Sequence, residues 1–98
     1  MFIYNVTINV DSDIHTNWLT YMKEVHIPDV LATGYFKESK MYRILSEDEG
    51  FTYSIQYFFD HMDDYEKYKN KEASRLQKEV MDLYKNRFVA FRTLLEQV

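Results

Sequence analysis

His26 is the residue whose type and position most directly suggest chemistry. It directly precedes Ile27-Pro28-Asp29, where a helix is expected to end. An imidazole titrates near neutral pH, so His26 could act as a general base or hydrogen-bond a bound anion. A histidine at a helix end could equally bond free carbonyl groups and interact with the helix dipole. Because one histidine without a defined partner is not a catalytic arrangement, we predict no catalytic residue.

A second group of polar residues lies on the expected strands. An arginine among uncharged polar groups suits a carboxylate or phosphate of a small molecule. The alternative is a polar seam across a dimer interface, in which each group is hydrogen-bonded by its symmetry mate. If the strands pair as expected, four residues could converge on a ligand: Asn5, Thr7, Gln56 and Arg92.

Two further motifs have a structural and a functional interpretation. Trp18, with Tyr21 and Met22, could roof a pocket and stack on a flat ligand, although this helical spacing is more typical of plain core. The run His61-Met62-Asp63-Asp64 lacks a recognised metal spacing, and the acids suit the start of a helix. We therefore expect neither a metal nor a cofactor.

Hydrophobic periodicity indicates which elements must position these residues. Pro28 cannot continue a helix interior, so the first helix should end near Val25, with a short helical turn over 28–33. Residues 46–50 form a polar connection of the hairpin type. Alternation predicts strands over 2–10 and 51–59, and helical spacing predicts helices over 14–25 and 60–86. Residues 35–45 and 87–97 are interpreted as two further strands, with a continued helix as the alternative for 87–97.

The order βαββαβ predicts a ferredoxin-like α+β fold, with one antiparallel sheet and both helices on one face. Charges on both faces of 35–45 favour an edge position for that strand. On the sheet face without helices, short uncharged polar residues alternate with Ile3 and Phe58. A second copy covering this face would close a dimeric α/β barrel and give those groups a buried environment.

Length, charge and composition exclude several classes of protein. Ninety-eight residues make one domain, 1–98, and a chain this short gains from forming a homodimer. A net charge of −4 argues against nucleic-acid binding. The absence of cysteine excludes disulfides and thiolate chemistry. With no signal peptide or apolar span expected, we predict a cytoplasmic protein that contacts no membrane.

Several short motifs also carry a family resemblance. They are Tyr4-Asn5-Val6-Thr7, Trp18 to Met22, His26-Ile27-Pro28-Asp29-Val30, Thr33-Gly34, Thr52-Tyr53, Gln56-Tyr57 and Phe91-Arg92-Thr93. In this order they resemble a small bacterial domain family of unknown function. That family is similar to the dimeric α/β-barrel superfamily, which includes antibiotic-biosynthesis-type monooxygenases. The resemblance implies a homodimer with a pocket between sheet and helices. Cofactor-free oxygenases and haem-degrading enzymes of this superfamily use an asparagine on the first strand, which Asn5 could match.

These observations lead to a ranked set of function hypotheses. The first is a homodimeric small-molecule-binding or interaction domain without catalysis. The second is a cofactor-independent monooxygenase or isomerase, in which His26 handles protons while Asn5 and Arg92 steady an oxyanion. The third is haem binding, for which only the three histidines obviously supply an iron ligand.

Overall fold

The computed structural model describes residues 1–46 and 49–98, so the hairpin connection predicted over 46–50 lies partly outside the described residues. A single 3₁₀ turn, Ser12–Ile14, precedes the first helix, and a π-helical turn, Met22–His26, separates α1 from α2. The other elements are β1 (Phe2–Val10), α1 (His15–Tyr21), α2 (Ile27–Ala32), β2 (Glu38–Ile44), β3 (Phe51–Phe59), α3 (Met62–Lys71), α4 (Ala73–Tyr84) and β4 (Phe88–Glu96).

The four strands form one antiparallel sheet in the order β2-β3-β1-β4. Val6 is paired with Ile55 on one side and with Arg92 on the other, so all three side chains share one face. The predicted ferredoxin-like fold is confirmed, and β2 is the charged edge strand that its sequence indicated. We call the face that carries Val6 the inner face and the opposite one the outer face.

The helices cover the inner face and form one core with it. Aromatic side chains make up about half of this core, and Phe36 packs against Tyr4 and Tyr57 with ring centroids 6.0 and 5.3 Å away. The largest fully buried side chains come from both layers: Trp18, Met22, Val30 and Leu76 from the helices, and Val10, Ile55, Tyr57 and Phe59 from the strands.

The first helical segment continues past Pro28, so the prediction that it ends near Val25 is wrong. The backbone N–H of Ile27 bonds the carbonyl of Met22, five residues earlier, as in a π-helix. Proline has no N–H and its ring clashes with the carbonyl four residues before it. The wider turn absorbs this misfit, and Pro28 then lies in the first turn of α2, where a missing N–H is tolerated.

The second helical segment is split at Glu72, where the sequence predicted one helix over 60–86. Glu72 has φ −125°, outside the helical range, and Tyr68 and Ala73 remain buried on either side of it. After α4, Asn86 takes φ 64°, a left-handed conformation that asparagine tolerates, and directs the chain into β4. The predicted fourth strand is thereby confirmed. None of the described helices is long and apolar enough to span a membrane, and the cytoplasmic location stays a prediction.

Candidate functional site

A cavity of about 220 Å³ lies between the inner face of the sheet and the helices. Ala90 contributes only a methyl group to its β4 wall, between Phe88 and Arg92 on the same face. Arg92 and Met81 are solvent-exposed, so the cavity reaches the surface along β4 and α4. The lining residues are Tyr4, Val6, Ile8, Met22, His26, Ile55, Tyr57, Tyr68, Gln77, Val80, Met81, Phe88, Ala90 and Arg92.

Arg92 and Tyr4 form a hydrogen-bonded pair at the β1–β4 side of the cavity. The Nε of Arg92 donates to the Tyr4 hydroxyl at 3.1 Å. Burial raises the pKa of Tyr4, and the nearby guanidinium only partly offsets this effect. Tyr4 is therefore a neutral phenol at physiological pH, and its O–H can donate while its oxygen accepts from Arg92.

Two further tyrosines add neutral hydroxyl groups to the cavity wall. Burial raises the pKa of both Tyr57 and Tyr68 well above the ordinary value, and the neighbouring phenols raise it further. Both side chains are only 2% exposed. Because the phenolate form is suppressed, these groups serve as hydrogen-bond donors and acceptors without charge.

Among the described residues His26 is the only histidine that lines the cavity, and it lies at the end of the π-helical turn. Its pKa is lowered to about 4, chiefly by burial, while Asp29 raises it and Arg92 lowers it. The imidazole is therefore neutral at pH 7. Its Nδ1 is buried and has no hydrogen-bond partner within residues 1–46 and 49–98. Such a group is free to bond a ligand or a water.

Of the six predicted site residues, the structure brings only His26 and Arg92 into the cavity. Asn5, Thr7 and Gln56 lie on the outer face, because Asn5 is paired with Gln56 and with Thr93. There the Asn5 Nδ2 donates to the Thr7 Oγ1 at 3.1 Å, and Asn5 Oδ1 accepts from the Ser54 hydroxyl at 2.6 Å. The expected convergence with Arg92 does not occur within one chain.

Trp18 is fully buried and does not line the cavity. It packs against Tyr53 with ring centroids 5.3 Å apart, which matches the interpretation of its helical spacing as core. The same end of the sheet carries His15, whose Nε2 lies 2.5 Å from the Tyr53 hydroxyl and whose ring stacks on Phe51. This cluster holds the first helix on the sheet, away from the cavity.

The sequence reasoning missed four polar residues of the site. Tyr4 and Tyr57 occupy inward positions of alternating strands, in rows that are otherwise mostly apolar. Tyr68 and Gln77 lie on the helices above them. Buried tyrosines usually need a partner for their hydroxyl groups, and tyrosine in place of an aliphatic residue on an inward row was the available signal.

The outer face carries a polar row flanked by exposed apolar side chains. Asn9 Nδ2 donates to Thr52 Oγ1 at 2.9 Å, a second uncharged pair beside the network of Asn5, Thr7 and Ser54. The exposed apolar side chains on this face are Tyr42, Ile44, Val89, Phe91 and Leu95.

Solved structures of the same fold include proteins from several bacteria, whereas no curated protein has a detectably similar sequence. A dimeric ferredoxin-like protein from an uncultured marine organism has a TM-score of 0.74 and 14% identity, over 100% of this chain and 95% of that chain. SnoaB, a cofactor-independent oxygenase from Streptomyces nogalater, has a TM-score of 0.68 and 7% identity, over 98% and 92%. The ActVA-Orf6 monooxygenase of Streptomyces coelicolor, in complex with nanaomycin D, has a TM-score of 0.65 and 11% identity, over 99% of this chain and 88% of that chain.

At these identities the structural likeness shows the fold alone. The sequence model of the family described as "Domain of unknown function (DUF4286)" matches residues 1–98, which is the whole chain. The chain therefore belongs to the DUF4286 family.

Proposed function

We propose that this protein is a homodimeric domain that binds a small organic molecule in the cavity between sheet and helices. The observation that carries the proposal is the composition of the cavity wall. Apolar side chains such as Ile8, Ile55 and Val80 make up much of it, and a few polar groups face the same space. Small-molecule sites have this combination of an apolar enclosure with a small number of polar groups that fix orientation.

The size of the cavity limits the ligand. An apolar cavity of about 150 Å³ accommodates benzene. The cavity of 220 Å³ is therefore suited to one ring with a small substituent. A porphyrin is much larger than this, and His26 is the single histidine among the described residues of the wall, so haem is poorly supported.

Keeping such a space open is energetically costly. At about 24 cal/mol per Å³, a cavity of 220 Å³ forfeits on the order of 5 kcal/mol of packing, less whatever hydration of the open part returns. Whole domains are typically stable by about 5–15 kcal/mol. A ligand that fills the cavity would restore part of these packing contacts.

The homodimer is proposed on the outer face of the sheet. Phe91 is 64% exposed and Val89 71% exposed, beside the uncharged polar row of Asn5 and Thr7. Exposed large apolar side chains that are neighbours on one face of a strand are typical of an interaction site. A two-fold axis through this face would place the same patch on both partners, and the marine protein of the same fold is described as dimeric.

Binding is better supported than proton abstraction. A general base works best with a pKa near the operating pH, whereas the pKa of His26 is lowered to about 4. Asn5, the residue proposed for oxyanion stabilisation, lies on the opposite face of the sheet from His26. Oxygenase or isomerase activity therefore remains the second candidate, supported by the fold shared with SnoaB and ActVA-Orf6.

Native mass spectrometry of freshly purified protein tests both parts of the proposal. We expect the mass of a dimer plus a small mass that denaturation releases. A monomer would contradict the outer-face dimer. A bare dimer that takes up no small-ring compound on incubation would contradict the ligand cavity.

A further inference from the structure

The cavity wall has a one-sided charge distribution. The protein as a whole carries −4, yet none of the described residues that line the cavity is an aspartate or a glutamate. Arg92 is the single permanent charge there, and the remaining polar groups of the wall are neutral. The cavity wall therefore carries a positive formal charge within an acidic protein.

The charge of Arg92 is not neutralised by a carboxylate in the described part of the chain. The ion pairs there involve Lys37, Arg75, Lys78 and Arg87, all outside the cavity wall. Arg92 instead uses one N–H, that of Nε, on the neutral Tyr4 hydroxyl. This bond fixes the guanidinium group and leaves its remaining N–H donors for another acceptor.

Arg92 and Tyr4 together form a two-donor site. Tyr4 accepts from Arg92, so its own hydroxyl hydrogen can be donated to the same ligand that the guanidinium binds. A guanidinium group matches the geometry of a carboxylate, which accepts two parallel hydrogen bonds. Beyond this pair the wall becomes apolar, with Ile8, Ile55 and Phe88.

We infer that the ligand of this cavity is a small aromatic carboxylate, held at its charged end by Arg92 and Tyr4 and with its ring against the apolar wall. This inference rests on the proposed binding function and adds the charge and orientation of the ligand. Neutral His26 lines the same cavity. It can bond a ring substituent or a water beside the ligand.

The test compares benzoate with benzamide, which has the same shape but no charge, by isothermal titration calorimetry. In the wild type we expect benzoate to bind at least tenfold more tightly. Charge-assisted hydrogen bonds support factors of about 10 to 100, and the solvent exposure of Arg92 favours the lower end. In R92Q the two probes should bind with similar affinities.

Two further variants serve as controls. R75Q removes the same charge from the exposed side of α4, away from the cavity, and should keep the benzoate preference. R92K keeps the positive charge but loses the planar guanidinium group. It should keep part of the benzoate preference, which separates the effect of lost charge from that of a folding defect.

The possible outcomes distinguish the carboxylate inference, the role of Arg92 and the proposed binding function. Equal binding of the two probes to the wild type would overturn the carboxylate inference while the binding function stands. A benzoate preference that survives in R92Q would overturn the assignment of Arg92. If neither probe binds at millimolar concentration, both the inference and the proposed function for ligands of this size fail.

Discussion

Filling the cavity from the strand side is a direct test of whether it is usable space. Ala90 lies on the inner face of β4, paired with Ile8, and its methyl group forms part of the cavity wall. The substitution A90L adds three carbon atoms that point into this space. In an ordinary packed core the same enlargement is destabilising, by about 1–3 kcal/mol, because neighbouring side chains must move.

The expected effect of A90L has the opposite sign. Burying three carbon groups contributes at most about 2.4 kcal/mol, at roughly 0.8 kcal/mol each. The lost rotamer freedom of leucine removes about 0.5–1 kcal/mol. Because Ala90 is itself partly exposed, we expect a net stabilisation of about 1 kcal/mol. This corresponds to a rise in Tm of roughly 4–8 °C for a domain of this size.

Thermal and urea unfolding measure this change, with A73L as the matched control. Ala73 is 7% exposed in the core and does not line the cavity, so the same substitution should lower stability. A90L should also abolish benzoate binding. If A90L destabilises the protein as much as A73L does, the space is not available to a side chain or to a ligand, and the reasoning is refuted.

Three other predictions address the dimer, the buried histidine and the hairpin. F91E places a charge on an outer-face residue that is 64% exposed, and it should give a monomer in analytical ultracentrifugation. The control L83E, on the exposed side of α4, should leave the dimer intact. A dimeric F91E would contradict the outer-face interface. Burial lowers the pKa of His26 from 6.5 to about 4, so between these values the unfolded chain binds a proton that the folded chain does not. The free energy of unfolding should therefore be highest above pH 6.5 and decrease towards pH 4 by at most on the order of 3 kcal/mol. In urea titrations, H26N should show a smaller decrease over the same pH range. G50A and G34A both replace a glycine that has a positive φ, but only at Gly50 would the new methyl group overlap the carbonyl oxygen of Val10. G50A should therefore lower the urea midpoint of unfolding more than G34A does. Equal midpoints would be inconsistent with this contact.

The strands could be predicted closely from the sequence because their signal is local. Alternation of β-branched and aromatic residues identified β1 and β3 with the bounds that the structure shows. The helix bounds were less predictable. A spacing of 3.6 residues contains no sign of a π-helical turn, and that turn is what allows the helix to continue through Pro28.

The site could be predicted only in part, because its composition depends on strand register. Residue type alone singled out His26 and Arg92. Whether Asn5 joins them depends on the pairing of β1 with β4, where a shift of one residue exchanges the two faces. Arg92 is paired with Val6, and Asn5 with Thr93, so Arg92 and Asn5 lie on opposite sides of the sheet.

The most direct test of the central claim is to locate a bound molecule by NMR with isoleucine methyl labels. Ile8 and Ile55 line the cavity, whereas Ile3 and Ile44 lie on the outer face. With benzoate added to the dimer, we expect nuclear Overhauser contacts from its ring protons to the methyl groups of Ile8 and Ile55. Contacts to Ile3 and Ile44 instead, with Ile8 and Ile55 unaffected, would show that the ligand binds the outer face and would contradict the account.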